Sequence, residues 1–174
     1  GKASPGLINP KTSLGFAPDG SSKGVSTSHL VVVDKAGNVA SMTTTIENAF
    51  GSRLMVRGFL LNNELTDFSF NPVKNGKIVP NSIWPGKRPR SSMSPPILLD
   101  NNGKPVIAIG SPGGSRIIGY VIKTIIAMLD WKMNIQSAVE LPNFVNRNGS
   151  TEIENGTPLA TLKRELEKLG HQVH

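Results

Sequence analysis

Three consecutive hydroxyl side chains, Ser26, Thr27 and Ser28, stand directly before His29 and a run of β-branched residues. A Ser or Thr hydroxyl is a poor nucleophile at its ordinary pKa and needs a base beside it. One source of that base is the residue's own α-amine, which requires the residue to be the first of its chain. For Thr27 this means breaking the Ser26–Thr27 bond. The pattern alone equally describes a polar turn entering a strand. A second candidate is "GSPGGSR", Gly110 to Arg116, between a strand and a helix. Backbone N–H groups at such a turn suit an anion or a developing oxyanion, although a Gly-Gly turn also serves as a tight connection. The Lys and the Gly spacing of a P-loop or a dinucleotide fingerprint are absent. "RSSMSP", Arg90 to Pro95, adds hydroxyls before another strand, as a Ser-rich turn would. In "LLNNELTDF", Glu64 and Asp67 could hold an ammonium group or remain solvated loop acids. His29, His171 and His174 have no metal-ligand spacing and there is no cysteine, so neither a metal site nor a cofactor is expected.

Several elements must position these residues. "HLVVVD" and "VASMTTTI" flank "KAGN" and predict a hairpin whose first strand is buried. Because the return strand is antiparallel, Thr45 should come back to the end of the sheet where Thr27 begins. A second hairpin is expected from "PILLD" and "PVIAIG" around Asn101, Asn102 and Gly103. Between the two, residues 71–95 read as one long irregular stretch, of a length that is usually functional or disordered. A helix from about Ser115 to Trp131 is apolar on most faces and should be buried. A short helix around Gln136 to Leu141, a strand at "TEIE" and an amphipathic helix follow. In that last helix Leu159, Leu162, Leu166 and Leu169 form one stripe, and Gly170 caps it. "HQVH" resembles the start of a strand, and residues 1–26, without an apolar period, resemble a linker. Both ends therefore look cut. The order of elements predicts an α+β arrangement with a mostly antiparallel sheet.

Composition narrows the classes. The 174 residues suffice for one domain, and 37% hydrophobic content is that of a globular protein. A net charge of +7 raises nucleic acid as a partner, but the basic residues are scattered apart from "KRPR" and aromatics are only 5%, which argues against it. No membrane span is expected, since the most apolar stretch, Ile117 to Leu129, is short and interrupted by Lys123.

Taken in order, "TSHLVVVDKAGNVASMTTTI", "GFLLNNELTDFS", "GKRPRSSMSP" and "GSPGGSRII" resemble the small subunit of the γ-glutamyltranspeptidases and their cephalosporin-acylase-like relatives, from about Thr27 to Val173. The resemblance implies an N-terminal-nucleophile hydrolase with an αββα sandwich. This chain would supply the small-subunit part, a mostly antiparallel sheet with helices on one face. Residues 1–26 would end the large-subunit region and 27–174 would form the catalytic region, truncated at its C-terminus. The precursor would cut itself between Ser26 and Thr27. Thr27 would then attack a γ-glutamyl amide such as glutathione and pass the acyl group to water or an amino acid. By the same resemblance Thr45 assists the nucleophile, and Gly113 and Gly114 form the oxyanion hole. Asp67 holds the substrate's α-amino group, and Ser91 and Ser92 hold its α-carboxylate. The implied partner is the large subunit of the same precursor, in a heterodimer. The implied location is periplasmic or extracellular.

Two positions bear on specificity. Glu47 stands where many members carry Asn, and Glu64 where Gln or Glu is found. An added carboxylate near an anionic substrate end would repel it unless paired, which opens an acylase or amidase alternative. The Gly-rich lid segment of many members is replaced by the shorter "NPVKNGKIVPNSIWPGKRP", implying an open site. A relative that never matures, kept for binding or assembly, is the third possibility.

Overall fold

The computed structural model describes residues 27–174; the expected linker 1–26, including Ser26, lies outside the described residues. The described chain divides into two compact units, 27–117 and 118–174.

In the first unit, β1 (Thr27–Val33) and β2 (Val39–Thr45) form an antiparallel hairpin with Thr27 opposite Thr45 and Val33 opposite Val39. Asp34 closes its turn. One carboxylate oxygen accepts the N–H groups of Ala36 (2.8 Å) and Asn38 (2.9 Å), and the other accepts the Asn38 side-chain amide at 2.7 Å. The Asn38 bonds, followed by those of Ala36 and Gly37, hold the Asp34 carboxyl below its ordinary pKa. The second hairpin repeats the device. Asp100 accepts the N–H groups of Asn102 and Lys104, and Gly103 (φ 80°) takes the left-handed position that Gly37 (φ 84°) fills in the first. In both turns a glycine meets that backbone without a Cβ penalty.

Between them lie β3 (Met55–Val56) with β4 (Phe59–Leu60), and β5 (Val73–Lys74) with β6 (Lys77–Ile78). The stretch expected to be irregular throughout thus contains the small hairpin β5–β6, closed by Asn75 and Gly76, both at positive φ. The second hairpin itself is β7 (Ile97–Leu99) with β8 (Pro105–Ala108).

The second unit holds α1 (Ile117–Leu129), whose first residue belongs to the other unit, and α2 (Ile135–Glu140), capped by the Asn134 side chain. The hairpin of β9 (Phe144–Asn146) and β10 (Thr151–Ile153) follows, then α3 (Lys163–Lys168). Gly119 lets α1 approach β9: a Cβ there would lie 2.8 Å from a methyl of Val145. Lys123, buried on α1, donates to the Leu141 carbonyl (2.5 Å) and to Asn143 Oδ1 (3.0 Å). Burial pushes its pKa below the ordinary lysine value, with Glu154 acting in the opposite direction.

The class is α+β as expected, but the described strands do not join into one sheet. They form five separate two-stranded antiparallel ladders. β2 and β8 approach each other without pairing in a ladder, and among the described residues the one bridge outside the ladders joins Val173, within the "HQVH" expected to begin a strand, in parallel to Thr151. The expected burial of β1 is also corrected: Val32 and Val33 are 56% and 62% exposed. On α1, Val121 and Ala127 are buried while Ile118, Ile122 and Ile126 are exposed. Apolar residues predict burial only where the chain itself supplies the covering layer. The expected C-terminal amphipathic helix is divided into a 3₁₀ turn, Pro158–Leu162, and the six-residue α3, with Gly170 at φ 93° after it.

Candidate active site

The strand register brings the two threonines together. Paired at the open end of the first hairpin, the Thr27 hydroxyl donates to Thr45 Oγ1 at 3.3 Å. Thr45 Oγ1 also accepts the Glu47 N–H at 2.9 Å, which fixes the backbone as it leaves β2. Glu47 turns there at φ 67°, a conformation that L-residues other than Asn and Asp adopt at a cost of about 1–2 kcal/mol. Two ladder positions beyond the threonine pair, and so on the same face, His29 Nδ1 and Thr43 Oγ1 lie 2.9 Å apart. The imidazole packs on Gly110, where an added Cβ would sit 2.2 Å from two ring atoms.

A cleft opens at this end of the hairpin. Thr27, Thr45, Glu47, Glu64, Asp67 and Arg90 line it, and Ser91, Ser92, Met93, Gly114, Ser115 and Ile117 complete its wall. Its acidic side is assembled by backbone clamps. The Asn63 N–H donates to the Ile46 carbonyl (3.3 Å), and Asn63 Oδ1 accepts the Asn48 N–H (3.0 Å), stapling the segment after β2 to the one before Glu64. Gly51 makes the same approach possible, since a Cβ there would lie 2.1 Å from the Leu61 carbonyl oxygen. Glu64–Asp67 then forms a 3₁₀ turn that Asn63 and Thr66 tie together. Carboxylate oxygens of Glu47, Glu64 and Asp67 consequently lie within 4.8 Å of one another. Such a group suits a cation, and Asp67 is buried.

The lining also carries hydroxyls and a cation. Ser91 Oγ accepts the Met93 N–H (3.2 Å), the Ser94 hydroxyl donates to the Ser92 carbonyl (3.1 Å), and Arg90 joins Ser91 and Ser92 in the lining. Gly113 and Gly114 follow β8 at φ 135° and 57°, where a side chain would be strained. Gly114 opens the 3₁₀ turn Gly114–Arg116 and lines the cleft; Gly113 caps that turn and is not among the lining residues.

Every described residue expected at the site, Gly113 apart, therefore lines one cleft. Sequence reasoning missed Arg90 as a site residue, although its adjacency to Ser91 was the available signal. It also missed His29 as a brace of the strand that carries Thr27. Among the described residues no helix is long and apolar enough to cross a membrane.

The chain is similar to known proteins in sequence and in fold. The chain is 44% identical over 149 residues to the glutathione hydrolase proenzyme of Bacillus subtilis (strain 168), covering 84% of this chain and 24% of the relative. It is 35% identical over 149 residues to the acylase ACY 1 proenzyme of Pseudomonas sp. (strain SE83), covering 84% of this chain and 25% of that protein. Among solved structures, a chain of an acivicin-inhibited γ-glutamyltranspeptidase superposes with a TM-score of 0.72 at 43% identity, covering 84% of this chain and 82% of that one. The chain spans about a quarter of the length of these two curated relatives. Residues 6–174 match the sequence model of the γ-glutamyltranspeptidases, and the chain belongs to that family.

Proposed function

We propose that this chain is the small-subunit part of an enzyme that transfers or hydrolyses γ-glutamyl groups, with Thr27 freed as the nucleophile by self-cleavage of the Ser26–Thr27 bond. The observation that carries the reading is the cleft itself. A threonine hydroxyl held 3.3 Å from a second threonine stands at one end of it, with three convergent carboxylates, Ser91 and Ser92 in the same lining. A γ-glutamyl group carries an ammonium and a carboxylate on one carbon, and the two sides of the cleft match them.

In this mechanism the Thr27 α-amine, once released, accepts the hydroxyl proton as Oγ1 attacks the γ-carbonyl carbon. Charge developing on the carbonyl oxygen is met by the N–H groups of Gly113 and Gly114. The C–N bond breaks, the leaving amine takes the proton, and the acyl group remains as an ester on Thr27. Water or an amino-acid amine then attacks that ester and regenerates the hydroxyl. Glu47, Glu64 and Asp67 hold the substrate ammonium, and Ser91 and Ser92 its α-carboxylate. Residues 1–26 would be the end of the large-subunit region, and the exposed apolar faces of β1 and α1 would be covered by that subunit.

The similarity to an acylase keeps a second reading open, in which the same Thr27 chemistry acts on another acyl group. The three-carboxylate group favours the γ-glutamyl reading, because a γ-glutamyl group brings an ammonium that convergent acids attract, and an acyl group without one does not. Incubating the full-length protein with a γ-glutamyl anilide tests the choice. Amine release, reduced at least about a thousandfold by Thr27→Ala, is expected. No release by the wild type would overturn the γ-glutamyl reading.

A further inference from the structure

We infer that Asn81 is the positioning residue that sets the separation between the two halves of the substrate-head site. The inference rests on the γ-glutamyl reading above. Asn81 is 7% exposed and is not among the residues lining the cleft. Its side-chain Nδ2 donates to the Asp67 carbonyl at 2.6 Å, and its Oδ1 accepts the Arg90 N–H at 2.9 Å. Its own carbonyl accepts the Ser69 N–H at 2.9 Å. One buried amide thus ties the residue proposed to hold the ammonium to the residue directly before Ser91, across 14 positions of sequence on one side and nine on the other.

The chemistry requires an amide. A donor must face a carbonyl and an acceptor must face an N–H, and only Asn and Gln carry both on one planar group. Asp lacks the donor, and Gln adds a methylene to a packed position. The base of this strap is fixed in turn. Val79 and Ser82 are each 1% exposed, and the Val79 N–H donates to the Pro72 carbonyl at 2.8 Å. An α-amino acid head presents its ammonium and carboxylate at a fixed separation, so the two sides of the cleft must keep a matching one. Losing the strap should let the halves drift and weaken head binding while Thr27, Thr45 and the Gly113–Gly114 turn stay in place.

The test is steady-state kinetics of the full-length protein with a γ-glutamyl anilide, alongside the extent of self-cleavage and inhibition by L-glutamate. Asn81→Ala is expected to raise KM and the L-glutamate inhibition constant about tenfold, with kcat and self-cleavage within about twofold of wild type. In an Asp67→Ala background the same substitution should add less than about twofold, because the site it aligns is already broken. Asn81→Asp keeps the size and the acceptor but loses the donor, and should shift KM in the same direction; it is scored if Asn81→Ala does not mature. An unchanged KM, a loss confined to kcat, or failure of both variants to self-cleave would make Asn81 a folding residue and overturn the inference. A wild type inactive on the anilide would overturn the γ-glutamyl reading together with this one. An active wild type with unmoved variants overturns this one alone.

Discussion

Thr45 Oγ1 accepts two hydrogen bonds, from the Thr27 hydroxyl and from the Glu47 N–H, so one atom joins the proposed nucleophile to the acidic residues of the cleft. Thr45→Val keeps the shape of the side chain and removes the acceptor. Leaving a partly buried donor unpaired costs about 1–3 kcal/mol. Thr45→Val should therefore slow both self-cleavage and anilide hydrolysis by roughly ten- to a hundredfold, with Thr45→Ser restoring most of each. Time-resolved gel analysis of the precursor and initial rates would read the two effects. This pair was legible in the sequence because a strand has a period of two and a hairpin register follows from its turn. The convergence of Glu47 with Glu64 and Asp67 was not. It depends on bonds such as Asn48 N–H to Asn63 Oδ1, between residues 15 apart in loops without a period.

At the scale of elements, the two long hairpins share the turn built on Asp34 and Asp100, and they meet near the site through His29 and Gly110. Gly110→Ala would drive a methyl into the His29 imidazole, two residues beyond Thr27. Overpacking of this kind costs about 1–3 kcal/mol, so the variant should melt earlier than wild type and lose activity, as thermal unfolding and anilide assays would register. Gly37→Ala is the useful contrast: it meets no atom within 4 Å and pays only for its positive φ, far from the cleft. Both hairpins could be read from alternation and turn chemistry. The hairpin inside residues 71–95 and the buried strap at Asn81 could not, since strands of two residues carry no pattern and a buried amide looks like any loop Asn.

At the scale of the whole molecule, the misread feature is the informative one. β1 and α1 have the composition of buried elements, yet Val33, Ile118 and Ile122 are exposed, and so is Phe59 at 75%. Apolar area of this extent calls for a covering surface, and in the proposed heterodimer the large subunit provides it. Sequence pattern predicted burial of these faces, and the described residues leave them exposed, because the pattern records apolar character and not which chain would cover it. In the proposed mechanism assembly and catalysis meet at one bond, because the cut that would separate the subunits would also create the Thr27 amine. The most direct measurement is mass spectrometry of the purified full-length protein, with and without Thr27→Ala. The account predicts two co-purifying polypeptides, the smaller beginning at Thr27, and a single uncut chain in the variant. A wild-type protein that stays whole, or that is cut at another bond, would contradict it.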